Sequence, residues 1–229
     1  MKVEIWSDVM CPFCYIGKRR FEAAVNSLGP DHPIEVEWKS FQLDPGLVAE
    51  PGKSINQYLA ERKGWTTEYA RQMNAHVTGM AAAEGLHYDF DKAVVANSHD
   101  AHRLSHLAKQ HGLQDALEER LFAAYFTEGK DTGDPTVLKT LALEIGLPAH
   151  EVDDVLTGSQ FSEAVRHDIA EASQLGIRGV PFFVINRKYG ISGAQSHDVF
   201  LRTLKAAAAD ESSIQANAGA SCDVDGNCN

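Results

Sequence analysis

Cys11 and Cys14 lie in the run Trp6-Ser7-Asp8-Val9-Met10-Cys11-Pro12-Phe13-Cys14-Tyr15-Ile16-Gly17. Two thiols separated by two residues serve one of three chemistries: zinc ligation, a structural bridge or a redox-active dithiol. Zinc needs a second pair at matching spacing, and the other two cysteines, Cys222 and Cys228, are separated by five residues in a small, polar stretch. A structural bridge would close a very short loop and constrain the unfolded chain little. The redox reading requires that one thiol be favoured as its thiolate. Unpaired N–H groups and the positive end of the dipole at a helix N-terminus supply that preference. Pro12 suits the first helical position, where its missing N–H costs nothing. The spacing therefore predicts a helix from about Cys11, with Cys11 at its exposed lip and Cys14 about a turn further in. Cys11 is then the attacking thiol, and Cys14 resolves the mixed disulfide.

Other chemistry-bearing residues are weaker signals. His99, His102 and His106 share a helical face beside Asp100, which reads as a polar or half-buried face rather than a metal site. The segment from Cys222 to Cys228 resembles a calcium loop only superficially, because Gly226 follows Asp225 too early. Its small, turn-prone residues let the two sulfurs meet, which makes Cys222 and Cys228 a candidate second redox pair. A redox-sensing or metal-binding protein is accordingly a third reading.

Composition narrows the partners. A formal charge of −11 opposes phosphate-backbone binding, and Lys18-Arg19-Arg20 reads as a solvated helix face. Four cysteines in 229 residues are too few for a disulfide scaffold. No apolar run approaches a membrane span, and the alternating start of the chain reaches Asp8 without a signal-peptide core. The expectation is a cytoplasmic protein with neither nucleic-acid nor membrane partners.

These residues need a scaffold. Val3 to Ser7 reads as a strand; Phe21, Val25 and Leu28 form a helical stripe ended by Gly29-Pro30; Ile34 to Phe41 alternates as a second strand. This is a βαβ unit with a right-handed crossover. After Asp44-Pro45-Gly46 the pattern turns helical. Ser54-Ile55-Asn56-Gln57 is a capping box, and Asp134-Pro135 starts another helix. The stripes are Leu117, Leu121, Ala124 and Tyr125; then Val137, Leu141 and Ile145; then Phe161, Val165, Ile169 and Ala172. Strand character returns at Pro181 to Ile185, with a turn at Asn186 to Lys188, a second strand near Ile191 and a helix capped by Ser196. The predicted organisation is an α/β core from residues 1–45 and 177–209, a helical insertion at 46–176 and a mobile tail at 210–229.

Strand, Cys-x-x-Cys at a helix start, strand, helical insertion, then Gly179-Val180-Pro181-Phe182 entering a strand resembles the DsbA family of thioredoxin-fold oxidoreductases. The run Trp6 to Gly17, with Asn97-Ser98 and Ala101-His102-Arg103-Leu104, is most similar to the FrnE-like branch. That branch is related to 2-hydroxychromene-2-carboxylate isomerases and kappa-class glutathione transferases. The resemblance spans about residues 2–209. It implies a thioredoxin-like fold and a cis Pro181 facing the dithiol. It also implies substrate binding by Val180, Pro181, Pro12 and Phe13, with the Val180 backbone pairing to an extended segment, and Asn97, His102 and Arg103 as candidate groove residues. The expected activity is thiol–disulfide exchange on protein disulfides, reducing or isomerising them in the cytosol. The expected partners are thiol or disulfide proteins and a thioredoxin-type reductant. No bound cofactor is expected, with glutathione as a candidate co-substrate. In the isomerase and transferase relatives serine characteristically stands where this chain has Cys11, so glutathione-dependent small-molecule chemistry is the alternative reading.

Overall fold

The computed structural model describes residues 1–50 and 52–218. The Cys222–Cys228 pair lies outside the described residues. Four strands, β1 (Lys2–Ser7), β2 (Glu35–Ser40), β3 (Phe182–Ile185) and β4 (Tyr189–Ser192), form one sheet in the order β2-β1-β3-β4. β1 runs parallel to β2 and antiparallel to β3, and β3 and β4 form the hairpin. The register sets Ile5 beside Trp38 on one side and Phe183 on the other. The DsbA-like thioredoxin fold read from the sequence is thus present.

Helices α1 (Pro12–Leu28) and α9 (His197–Ala218) cover one face of the sheet. There Phe21, Phe183 and Phe200 form a mutually packed aromatic group with Val3, Ile5 and Ile185. The last helix continues through Ala218, past the start expected for the tail, and Lys188 Nζ pairs with its Asp210 at 2.6 Å.

Between β2 and β3 run α2 (Ile55–Lys63), α3 (Thr67–Ala83), α4 (His99–Gln110), α5 (Gln114–Phe126), α6 (Pro135–Glu144), α7 (Ala149–Thr157) and α8 (Ser162–Gln174). Ser54 forms the expected capping box, and Asp134 caps α6 ahead of Pro135. Although α8 falls in the segment read as insertion, it packs on the second face of the sheet. Trp6 Nε1 donates to Asp168 O at 3.0 Å, and Trp6, Ala172, Ile177 and Val184 form the core there. The buried stripe of α8 is Val165, Asp168 and Ala172, so an acid occupies a core position. Lys39 Nζ and the Ser40 backbone N–H, at 3.1 and 3.0 Å, satisfy that acid.

The outer edge of β2 is closed by side chains. Trp38 N–H donates to Gln114 Oε1, and Gln114 Nε2 donates back to Trp38 O, each at 3.0 Å. Such closure blunts an edge that would otherwise pair with another chain. Among the described residues, no helix is long and apolar enough to cross a membrane.

Candidate active site

β1 delivers the chain to Asp8, whose carbonyl accepts the Cys11 N–H at 2.9 Å. Cys11 is the extended N-cap of α1, Pro12 follows in the first turn, and Cys14 N–H bonds back to Cys11 O at 3.0 Å. The helix start therefore lies where the proline places it. The exposed lip does not exist: Cys11 is only 4 % exposed and Cys14 is fully buried. The cover comes from far along the chain. The α2–α3 hairpin forms a wall over Cys11, and Tyr88 donates its hydroxyl to Pro12 O at 2.8 Å.

The Val180–Pro181 peptide is cis, and Cys11 Sγ donates to Val180 O at 3.5 Å. Pro181 packs tightly against Gly17: a Cβ at Gly17 would meet the Pro181 ring at 3.0 Å and Phe183 at 3.4 Å. Glycine is the residue that allows α1 to approach β3 so closely.

Cys11, Pro12, Phe13 and Val180 line a groove of about 370 Å³, completed by Met10, Leu43, Ile55, Tyr58, Trp65, Val77 and Tyr125. The lining is mainly apolar, with Arg62 and Lys63 among it. Arg62 is held by Asp44 at 3.1 Å, whereas Lys63 makes no ion pair among the described residues. Cys14 sits behind Cys11 with a thiol pushed well above its ordinary pKa. Burial is the main cause, Cys11 adds to it, and Ser7 with the Asp8 backbone acts in the opposite direction. Cys14 thus rests as a thiol, suited to resolving rather than attacking.

Three residues expected in the groove lie elsewhere. Arg103 is buried and ties down the end of α7, donating to Gly158 O and Gln160 O at 2.8 Å each, to Val155 O and to Asp100 Oδ1. Asn97 pins the loop after β2 to the start of α4, donating to Leu47 O at 3.0 Å and accepting from His99 N. His102 faces Asp8 from behind the dithiol, with Nε2 3.5 Å from Oδ1. The family-like segment containing them acts through packing and hydrogen bonding inside the fold, which a motif does not reveal. His106 Nε2 pairs with Asp168 at 3.1 Å, so His99, His102 and His106 share no ligand set. Among the described residues, His167, Asp168 and Glu171 come close enough together to hold a metal, but Lys39 and Arg187 already occupy the two acids. Sequence reasoning missed Asp8, Tyr88, Tyr125 and Gly17. Of these only Asp8, a charge closing an apolar strand, carried a local signal.

The sequence model of the DSBA-like thioredoxin domain matches residues 2–205. The chain belongs to the DsbA-like thioredoxin family. A probable DsbA oxidoreductase from Streptomyces coelicolor is 37 % identical, with a TM-score of 0.85 over 100 % of this chain and 98 % of that one. The cytosolic disulfide reductase DsbM from Pseudomonas aeruginosa, solved with GSH, shares the fold at 19 % identity and TM-score 0.64, covering 90 % of this chain and 98 % of its own. A 2-hydroxychromene-2-carboxylate isomerase shares it at 14 % identity and TM-score 0.64, covering 95 % and 98 %. This family of thiol–disulfide oxidoreductases uses the fold found here, and in this chain a buried pair of thiols, Cys11 and Cys14, lies beside Val180 and Pro181.

Proposed function

We propose that the protein reduces or isomerises disulfides in the cytosol through Cys11 and Cys14. The observation that carries this is the position of Cys11 Sγ, in an apolar groove and 3.5 Å from Val180 O, with the Cys14 thiol buried behind it. In the reducing direction the Cys11 thiolate attacks one sulfur of the substrate disulfide. A Cys11–substrate bond forms, and the first substrate thiolate leaves and takes a proton. Cys14, as its thiolate, then attacks Cys11 Sγ. The second substrate thiol departs and the chain keeps the Cys11–Cys14 disulfide, two electrons having passed to substrate.

The cover over Cys11 restricts what reaches it. A disulfide presented on an extended segment, or carried by a small molecule, fits the groove, and apolar flanking groups match its walls. A thioredoxin-type reductant or glutathione would return the dithiol to its reduced state. Similarity in fold to a cytosolic disulfide reductase supports the reducing direction.

Glutathione-dependent small-molecule chemistry is the second reading, favoured by the enclosed apolar groove and by fold relatives solved with GSH or named as isomerases. One comparison separates the two. Reduction of a peptide disulfide and glutathione-dependent isomerisation of 2-hydroxychromene-2-carboxylate are measured for wild type and Cys11→Ser. The oxidoreductase reading expects disulfide reduction in wild type and its loss in the variant. Disulfide reduction retained by Cys11→Ser, or isomerisation as the stronger activity of both proteins, contradicts it.

A further inference from the structure

A sulfur that carries charge at a helix start needs backbone donors, and the first turn of α1 has few left. The Cys11 N–H is bound to Asp8 O at 2.9 Å, Pro12 has no N–H, and the Cys14 N–H is bound to Cys11 O at 3.0 Å. The Phe13 N–H is the donor of that turn without an acceptor among the described residues. A side chain at the N-cap accepts from the second or third helical N–H, and here the third is already engaged. With its proton in place, Cys11 Sγ instead donates to Val180 O at 3.5 Å.

Tyr88 acts on the peptide that carries this donor. Its hydroxyl donates to Pro12 O at 2.8 Å, and Pro12 O and the Phe13 N–H are two ends of one amide. The helical pattern commits that carbonyl to the N–H four residues on, so Tyr88 uses its second lone pair. The ring is fixed from several sides. It stacks on Phe126 at 4.6 Å and on Tyr15 at 6.2 Å and meets Phe90 edge-on, while the Asp89 N–H donates to Phe126 O at 2.7 Å. Pro12 and Tyr15 are three residues apart on one face of α1, so hydroxyl and ring hold the turn together. Burial, and after it Cys11 and Cys14, push the hydroxyl well above the ordinary tyrosine range, so it remains a donor. A donor on an amide oxygen polarises the amide and strengthens its N–H.

We propose that Tyr88 is a positioning residue of the redox pair: held on Pro12 O, it polarises the Pro12–Phe13 amide and strengthens the Phe13 N–H as donor to the Cys11 thiolate. Its part in disulfide exchange rests on the oxidoreductase reading above, whereas its effect on the Cys11 sulfur does not. When Cys11 loses its proton to solvent, the bond to Val180 O is lost and Sγ turns from donor to acceptor on the Phe13 N–H. The helical insertion thereby tunes the attacking sulfur as well as walling its groove.

The charged and titratable groups around Cys11 are Cys14, Tyr15 and Arg19 on α1, Asp8 with His102 behind it, and Tyr58, Arg62 and Lys63 on the groove wall. Tyr88→Phe keeps all of these and the ring stack and removes only the hydroxyl. The test uses the full chain with Cys14→Ser, Cys222→Ser and Cys228→Ser, which leaves Cys11 as the single thiol, and follows iodoacetamide alkylation against pH. Tyr88→Phe should raise the pH midpoint of alkylation and lower the rate below it by about twofold. The alkaline plateau should be unchanged or slightly higher, since a more basic thiolate is the better nucleophile. An unmoved or lowered midpoint overturns the proposal. A rate changed by one factor at every pH, the mark of a merely structural residue, overturns it too. Should Tyr88→Phe fail to fold, 3-fluorotyrosine placed at position 88 decides. As a stronger donor it should lower the midpoint, and a midpoint unmoved or raised overturns the proposal equally. With Cys11 and Cys14 both present, Tyr88→Phe should slow reduction of a peptide disulfide by about the same twofold below the midpoint, and reduction left unslowed overturns its part in exchange. If wild type does not reduce the peptide disulfide at all, the oxidoreductase reading fails instead, whatever the alkylation midpoint shows.

Discussion

At the residue scale, the two cysteines differ through their surroundings rather than their spacing. Cys11 opens onto the groove and bonds to Val180 O, whereas Cys14 is sealed behind it with its thiol held in the protonated form by burial. In the native reduced protein at pH 7, iodoacetamide should therefore label Cys11 at least about tenfold faster than Cys14. Peptide mass spectrometry at timed intervals reads this directly, and equal labelling of the two would contradict the assignment of roles. The sequence revealed this asymmetry only in outline. Cys-Pro-Phe-Cys and Val180-Pro181 announce a dithiol and its neighbour, because proline fixes local geometry by itself. That Cys11 is covered depends on Ile55, Trp65, Val77 and Tyr88, distant residues whose types say only that they are apolar. Arg103 and Asn97 mislead for the same reason: a polar residue in a family-like segment gives no sign of whether it faces a groove or a backbone carbonyl.

At the scale of elements, the junction between α1 and β3 sets the site. Gly17 has an ordinary helical backbone, so its lack of a side chain matters for space: a methyl there would press on Pro181 and Phe183. Gly17→Ala is expected to destabilise the fold by about 1–3 kcal/mol through overpacking. It should also slow disulfide reduction, because the push is transmitted to the strand entrance beside Cys11. Denaturant midpoints and reduction rates measured together check this, and a variant unchanged in both would contradict it. Much of the element order was legible. Alternation marked β1 and β2, Ser54 and Asp134 marked helix starts, and the turn after Ile185 marked the hairpin. What α8 packs against was not legible, since a stripe of apolar residues names no partner. Its buried Asp168 looks like a surface residue until Lys39 and the Ser40 N–H are seen to meet it.

At the scale of the whole molecule, charged groups from β1, β2, α4, α8 and the hairpin turn interlock on one side of the sheet. Glu37 is gripped by Lys2, Lys39 and Lys109, and Glu4 and Glu171 share Arg187. Burial pushes the Glu37 carboxyl up, but the lysines outweigh it and hold it down at about 2, against an ordinary 4.5. A carboxyl depressed on folding stabilises fully above its ordinary pKa and loses that contribution as pH falls through the folded value. Glu37→Gln should therefore lower the melting temperature by about 2–4 °C at pH 7. The gap should narrow as pH drops from 4.5 toward 2, over the range where both proteins stay folded. A gap independent of pH would contradict this account of the network.

The same architecture brings a helix start, a strand entrance and a helical wall together around one sulfur, and the central claim is that this sulfur does the exchange. The direct measurement is to incubate reduced Cys14→Ser with a peptide disulfide and map the site of attachment by mass spectrometry. The account predicts a mixed disulfide at Cys11 that accumulates in the variant, is released by reductant, and is only transient in wild type. No adduct, or attachment solely at Cys222 or Cys228, would contradict it.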